Sequence, residues 1–124
     1  MPLNVQGNFR NKGSKVDFTL PVIKFKEDEV YFVYTPSLDL TGYGKSDEDA
    51  QTSFEETLAQ FFDYTTNKKT LGSELKKLGW KVTKKALKSP SLSEMLLDNK
   101  YLADIFDEKS YSKFDKTVSI PAFA

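Results

Sequence analysis

Asp17, Asp39 and Asp63 are the carboxylates with which this chain could carry out metal-dependent chemistry. Cleavage of a phosphodiester by two metal ions needs several carboxylates around ions about 4 Å apart. Asp17 and Asp39 flank predicted strands and Asp63 lies near a predicted helix end, so their spacing does not bring the three together. We interpret them as solvated surface acids. A small metal-dependent nuclease therefore ranks behind two binding functions.

The residue types that most enzymes use for acid–base and nucleophilic chemistry are missing. The chain contains no histidine and no cysteine. This absence removes every Ser-His or Cys-His pair, every thiolate nucleophile and the commonest metal ligand. The glycines at 42 and 44 lack the spacing of a phosphate-binding loop. The sequence therefore predicts a protein that is not an enzyme, with no cofactor and no metal.

The composition predicts one domain with an aromatic core. Of the 124 residues, 39% are hydrophobic and 14% are aromatic, which is enough to fill a core of this size. There is no run of about 18 apolar residues that could span a membrane. The first residues lack the charged start and apolar stretch of a secretory signal. Together with the lack of cysteine, these features predict a cytoplasmic protein that contacts no membrane.

Acidic residues are concentrated in the first half of the chain, although the formal net charge is zero. Residues 27–63 contain ten acids and one lysine. An acidic surface of this kind speeds the encounter with a basic partner and selects for it. The candidate partner-binding residues are Asp39, Tyr43, Asp47, Glu48 and Glu55.

Lysines are concentrated in the next segment, where residues 68–88 contain eight lysines and one acid. Lysine binds phosphates in a salt-dependent way without reading sequence, whereas base reading relies on Arg, Asn or Gln. Arg10 is the only arginine. The candidate nucleic-acid contacts are Lys76, Lys77, Lys81, Lys84 and Lys85. The simpler interpretation of this segment is a solvated helix face.

Two strands that form a hairpin are predicted near the N-terminus. Apolar residues alternate at residues 16–22, and residues 30–34 all favour strand. Ile23 and Phe25 continue the first strand on the opposite parity. Because this change lies beside Pro21, which cannot donate a hydrogen bond to a strand ladder, it predicts a bulge or an edge position.

A glycine-containing third strand and a capped helix follow the hairpin. Residues 38–44 predict the strand, and Ser46 with the three acids after it predicts a helix start. The remaining predicted elements are a weak strand at residues 3–9, a short helix after Thr70, a fourth strand at residues 80–83, a helix after Ser91 and a final edge strand at Val118–Ile120.

Residues 22–62 contain short signals in a set order: a strand pair, a proline followed by a leucine and an acid, a glycine-containing strand, and a helix that opens with serine, acids and alanine. The matching positions are Pro36, Leu38, Asp39, Gly42, Gly44, Ser46, Glu48 and Ala50. This pattern resembles the HicB antitoxin domain. The resemblance covers about a third of the chain, or about half with the second helix and Trp80.

The resemblance implies a partial RNase H-like β-β-β-α-β fold that has lost catalysis. HicB proteins neutralise HicA, a small basic toxin that cleaves RNA, and many carry a C-terminal DNA-binding domain. The present chain departs from that last feature, because residues 92–108 contain one lysine against five acids. Such a segment is a poor match for a recognition helix that must meet phosphates.

We therefore expect an α+β fold, with an antiparallel β-β-β-α-β HicB-like (partial RNase H-like) sheet, helices packed on one face, and strand extensions at both ends. Residues 1–124 form a single domain in this prediction. Residues 15–83 are its HicB-like core, and residues 84–124 are a C-terminal extension with short helices and an edge strand.

The function predicted from these features is that of a non-catalytic antitoxin-type protein, which neutralises a small basic HicA-like toxin by occlusion. One alternative is a nucleic-acid-binding accessory protein that uses the lysines of residues 68–88. Another is an orphan HicB-like domain of unknown role. We also expect a homo-oligomer, because short β-rich domains often pair through exposed strands such as Val118–Ile120.

Overall fold

Six strands and four helices follow one another in the part of the chain that the computed structural model describes, residues 15–83 and 87–121. The strands are β1 (Lys15–Glu27), β2 (Val30–Thr35), β3 (Leu40–Gly44), β4 (Lys81–Val82), β5 (Leu87–Lys88) and β6 (Tyr111–Pro121). The helices are α1 (Asp47–Asn67), α2 (Leu71–Lys77), α3 (Leu92–Asp98) and α4 (Lys100–Glu108). The predicted strand at residues 3–9 and the lysines at 84 and 85 lie outside the described residues.

Four strands form the main sheet in the order β3-β2-β1-β6, and every neighbouring pair is antiparallel. Strand β2 pairs with the end of β1 across the predicted hairpin turn. Strand β6 pairs with β1 from Lys15 to Phe25. The predicted α+β class, the hairpin and the C-terminal edge strand are therefore confirmed, and the edge strand is longer than predicted.

Of the two alternatives predicted beside Pro21, the bulge is wrong, because the register between β1 and β6 continues through this residue, which faces Asp115, and the edge position is observed on the β2 side. The pairing of β1 with β2 begins only at Ile23. Beside Pro21 a side-chain hydrogen bond replaces the backbone ladder: the hydroxyl of Thr35, the last residue of β2, donates to the Pro21 carbonyl at 2.9 Å. Pro21 has no N–H to donate, and no donor is needed on its β2 side because the ladder between β1 and β2 ends at Ile23.

Helices α1 and α2 pack on the face of the sheet that carries Phe18, Leu20 and Val22. The apolar stripe that α1 contributes to this core consists of Ala50, Phe54, Leu58 and Phe62. Trp80 closes the core, with its ring edge-on to Phe18 at 5.3 Å between centroids. The indole Nε1 of Trp80 donates a hydrogen bond of 2.7 Å to the carbonyl of Ser37.

Helices α3 and α4 pack on the opposite face, so the prediction that the helices share one face is wrong. A second buried cluster consists of Ile23, Phe25, Tyr34, Met95, Leu102 and Ile105. The apolar side chains on the second parity of β1 are the physical reason. A strand with apolar residues on both faces needs cover on both sides of the sheet.

The predicted fourth strand forms, but it does not join the main sheet. Its residues Lys81 and Val82 pair with β5 in a separate two-stranded sheet. Strand β6 already occupies the edge of β1 that lies away from β2. The β-β-β-α order is therefore observed, whereas the HicB-like assignment and the boundary at residue 84 remain predictions.

The predicted caps of two helices are confirmed. The Ser46 hydroxyl accepts a hydrogen bond of 3.0 Å from the backbone N–H of Asp49 at the start of α1. Ser91 and Glu94 form a complete capping box at the start of α3. Thr70 precedes α2 without a side-chain cap hydrogen bond. The acids in the first turn of α1 lie where the helix dipole favours negative charge.

Gly42 and Gly44 let α1 lie directly against β3. A Cβ atom at position 42 would collide with the backbone nitrogen of Phe54, and one at position 44 would lie 2.6 Å from the Cβ of Asp49. Backbone and neighbouring helix atoms cannot give way as a flexible side chain can. The two glycines therefore set the distance between the helix and the edge of the sheet.

We expect Gly42→Ala to destabilise the fold by about 3 kcal/mol, the upper part of the range for overpacking a close contact. Trp80 is the only tryptophan and lies in the same core, so its fluorescence during urea unfolding is the measurement. Gly79→Ala is the control, because Gly79 has a φ of 93° but its Cβ position would meet only the Pro90 side chain, at an ordinary contact distance of 3.6 Å. That variant should lose only about 1 kcal/mol, from backbone strain. Equal losses would contradict the helix–strand contact as the cause.

Candidate partner-binding surface

Four aromatic residues lie side by side across the main sheet, on the face that carries α3 and α4. Tyr43 faces Phe32, Phe32 faces Phe25, and Phe25 faces Tyr111 in the strand registers. The rings of Phe25 and Phe32 stack with their centroids 5.0 Å apart, and those of Phe32 and Tyr43 are 6.4 Å apart. The sheet therefore carries an aromatic row from one edge to the other.

Helix α4 covers only part of this row. Phe25 is 4% exposed, and Tyr101 of α4 lies over it with 6.4 Å between ring centroids. On the β3 side the row is open, because Tyr43 is 65% exposed and Tyr101 is 49% exposed. We call Phe32, Tyr43 and Tyr101 the tyrosine surface. It presents aromatic ring area to solvent next to the β3 edge.

The two glycines of β3 determine the direction of Tyr43. Gly42 and Gly44 face α1, so the residue between them projects to the other side of the sheet. The backbone N–H of Tyr43 donates a hydrogen bond of 3.2 Å to the hydroxyl of Ser53 in α1. Helix α1 thereby holds the strand from which the exposed ring projects.

A hydrogen-bond chain attaches the start of α4 to the sheet and positions Asp39 beside the tyrosine surface. Asn99 caps α4 by accepting from the N–H of Leu102, and its amide donates a hydrogen bond of 2.9 Å to the phenol oxygen of Tyr34. That phenol donates in turn to Asp39 Oδ1 at 3.4 Å. Asp39 has a φ of 55°, a conformation that Asp tolerates better than most residues.

Two carboxylates lie near the tyrosine surface: Asp39, which has no ion pair within the described residues, and Glu27, which pairs with Lys109 at 3.3 Å. Burial raises the pKa of Tyr101, and the charges of Glu27 and Asp39 raise it further. Burial likewise raises the pKa of Tyr34 to about 12, against the effect of the Asn99 hydrogen bond and with a further increase from Asp39. A carboxylate near a phenol disfavours the phenolate and favours a cation at the same place.

The structure separates the five predicted partner-binding residues into two groups. Asp39 and Tyr43 belong to the tyrosine surface. Asp47, Glu48 and Glu55 lie on α1, on the other side of the sheet. Asp47 forms an ion pair of 2.9 Å with Lys24, and Glu55 forms one of 2.9 Å with Lys116.

Glu48 is therefore the member of the α1 group whose charge is free to meet a partner. It is exposed and has no ion pair within residues 15–83 and 87–121. The ion pairs of the other two acids connect α1 with β1 and β6. The sequence could not indicate this, because the lysines concerned are 23 and 61 positions away in the chain.

The predicted nucleic-acid lysines are partly compensated by nearby acids. Lys77 lies 3.5 Å from Glu74, whereas Lys76 is exposed. Lys81 faces Lys88 in the small sheet, and Glu94 lies close to both. Hydrogen bonds from Ser91 are the main cause of the lowered pKa of Glu94, and the two lysines add to it.

Two of the three aspartates considered for metal chemistry accept a hydrogen bond from a hydroxyl group. Asp17 accepts a hydrogen bond from the hydroxyl of Ser119, and Asp39 from Tyr34. Among the residues that the structure describes, no group of three or more His, Cys, Asp or Glu side chains could hold a metal ion. No helix in the same ranges is long and apolar enough to cross a membrane.

Comparison with known proteins gives no match for this chain among family models, curated proteins or solved structures. Sequence reasoning missed Phe32, Tyr101 and Asn99 as parts of the surface. Asn99 before a short apolar helix is a recognisable N-cap signal. Nothing in the sequence, however, indicates that this helix would lie over the first hairpin.

We expect the free energy of unfolding to decrease between about pH 10 and pH 12, because the folded state raises the pKa of Tyr34 to about 12. A phenol with a raised folded-state pKa stabilises the fold fully below its unfolded pKa, and this contribution is lost as the pH rises through the folded value. Tyr34→Phe should reduce the slope, while Tyr101 retains a part of it.

The measurement is chemical denaturation at several alkaline pH values, followed by Trp80 fluorescence. Tyr64→Phe is the matched control, because Tyr64 is 64% exposed and its loss should leave the slope unchanged. Near neutral pH we expect Tyr34→Phe to cost about 1 kcal/mol, since Asn99 and Asp39 lose a hydrogen-bond partner. A Tyr34→Phe variant with the wild-type slope would contradict the assignment.

Proposed function

We propose that this chain is a non-catalytic HicB-like antitoxin-type protein that binds a small basic HicA-like protein and restrains it by occlusion. The observation that carries the proposal is the exposed tyrosine surface with the carboxylate of Asp39 beside it. The resemblance of residues 22–62 to the HicB domain supplies the kind of partner. A toxin that grips RNA presents a basic surface, and an acidic aromatic surface is complementary to it.

Free acids around the sheet support a basic partner. Asp28 and Glu29 form the β1–β2 turn, Asp39 follows β2, and Glu48 lies in the first turn of α1. None of these four carboxylates has an ion pair within the described part of the chain. Uncompensated charges of one sign raise the rate at which an oppositely charged partner is met, and they suppress the wrong partners.

The aromatic rings support a guanidinium or ammonium group as the contact. Arginine and lysine side chains are attracted to the face of a tyrosine ring within about 6 Å, and partial desolvation strengthens the attraction. Tyrosines also account for a disproportionate share of binding energy in protein interfaces. Nucleic-acid bases stack on such rings as well, but here the adjacent Asp39, whose carboxylate has no ion pair within the described residues, would repel the phosphates.

The lysine segment gives the second candidate less support. Lys77 and Lys81 lie near acids of the same chain. Of the candidate nucleic-acid lysines that the structure describes, this leaves Lys76 as the exposed one without such an acid. Binding of phosphates through this segment would appear as retention on a phosphate column that falls steeply with salt. Such retention, without recovery of a basic protein, would favour the nucleic-acid function over the proposed one.

The test of the proposal is affinity purification of the tagged full chain from its native cell, followed by identification of bound proteins. We expect a short basic protein, encoded by the neighbouring open reading frame, and loss of its RNA-cleaving activity in the complex. Recovery of no basic protein at low salt would contradict the proposal.

Truncation of the exposed ring should weaken the complex. We expect Tyr43→Ala to lower the affinity for the recovered partner about tenfold, the loss typical of an aromatic contact near an interface centre. Tyr64→Ala is the matched control, because the two tyrosines are 65% and 64% exposed but lie on different elements. Equal affinities of the two variants would exclude the tyrosine surface as the contact.

Charge reversal should separate binding from stability. We expect Glu48→Lys to slow association severalfold at low salt, with a smaller effect at high salt, and to lower the melting temperature slightly because a lysine in the first turn opposes the helix dipole. Asp47→Lys and Glu55→Lys should also lower the melting temperature, because they break the ion pairs with Lys24 and Lys116. Association of Glu48→Lys at the wild-type rate at every salt concentration would remove charge steering from the proposal.

A further inference from the structure

Strand β6 is a long edge of the main sheet with one side unused within the described residues. It has 11 residues, and β1 is its only neighbour in the part of the sheet that the structure describes. The opposite edge differs, because β3 has five residues and one of its N–H groups is taken by Ser53 of α1. Unpaired strand edges are templates for another strand. The β6 edge is therefore the open one.

A second copy of the chain is the partner that this edge fits. Pairing of two identical strands around a two-fold axis normal to the sheet is antiparallel and self-complementary. Each side chain must also stay on its own face of the combined sheet, since a shift by one residue would exchange the faces. The axis must therefore pass through a residue of β6, not between two residues.

The charges of β6 select one residue for the axis. Lys113 and Asp115 project from the same face, where their side chains are 38% and 62% exposed and lie 3.7 Å apart. An axis at Phe114 places Lys113 opposite Asp115 of the partner subunit, and does so twice. An axis at Lys113, Asp115 or Lys116 would place like charges opposite each other, which is destabilising. Axes at other residues of the strand bring no opposite charges together.

We propose that two copies pair through antiparallel β6 strands centred on Phe114, which joins their main sheets into one of eight strands. The half-buried Phe114 rings meet on the α1 face, and Tyr111 lies opposite Thr117 of the partner subunit. The overlap runs from Tyr111 to Thr117. This inference does not rest on the proposed function, because the tyrosine surface lies toward the other edge of the sheet.

Charge exchange is the first test. Lys113→Asp and Asp115→Lys alone should each weaken dimerisation about tenfold, since two attractive cross-strand pairs become repulsive. The double variant Lys113→Asp/Asp115→Lys should regain the wild-type dimer. Lys76→Asp, an exposed charge change on α2, is the control and should dimerise normally. The measurement is sedimentation velocity over a range of protein concentrations.

Cross-linking is the second test, because the chain has no cysteine of its own. Residues directly opposite in an antiparallel pair have Cα atoms about 4.5–5.5 Å apart, within the range of a disulfide. Phe114→Cys should therefore form a covalent dimer under mild oxidation. Thr117→Cys should not, because the two cysteines would be six residues apart along the strands, about 20 Å.

Three results would overturn the inference. One is a monomer at every concentration with no cross-link in either cysteine variant. Another is a cross-link at position 117 and not at 114, which would mean a different register. The third is a double charge variant that dimerises no better than the single ones. A dimer that binds no basic protein would leave this inference intact and contradict only the proposed function.

Discussion

Strand β1 has to bury apolar side chains on both of its faces, and the rest of the structure depends on this requirement. Leu20 and Val22 point to one side of the sheet and Ile23 to the other, and all three are fully buried. Burial of a large aliphatic side chain contributes about 1.5–3 kcal/mol, so neither face can be left to solvent. Strands β2 and β6 flank β1, and a helical layer covers each side.

The surface features follow from how closely each layer approaches this sheet. Helix α1 contacts β3 through glycine backbone, and the side chain between the glycines is thereby turned to the opposite face. Helix α4 lies over β1 and is attached to β2 by the hydrogen bond between Asn99 and Tyr34. Because α4 does not extend over β3, the aromatic row ends in solvent at Tyr43. The aromatic surface is therefore exposed because α1 covers β3 on one face of the sheet, whereas α4 does not cover it on the other.

Ion pairs within the chain divide the acids into those that contact a lysine of the same chain and those that a partner could contact. Asp47 and Glu55 hold α1 to the sheet through lysines of β1 and β6. Exposed ion pairs of this kind stabilise a fold by only about 0–1 kcal/mol each, but a partner that contacts one of these acids competes with the lysine of the same chain. Within residues 27–63, most of the acids without an ion pair in the described residues lie around the β1–β2 turn, after β2 and at the first turn of α1, and Glu56 and Asp63 lie further along α1. The proposed basic partner would contact these unpaired acids and not the whole acidic segment.

Local patterns in the sequence were sufficient for the α+β class, the hairpin, the caps at Ser46 and Ser91 and the final edge strand. Each of these depends on neighbours within a few residues, through strand alternation or helix capping. The placement of α3 and α4 on the second face, the assembly of Tyr101 with Phe32, and the pairing of Glu55 with Lys116 were decided by tertiary structure. These contacts join residues far apart in the chain, and a pattern along the sequence shows which side chains need cover but not which distant segment supplies it.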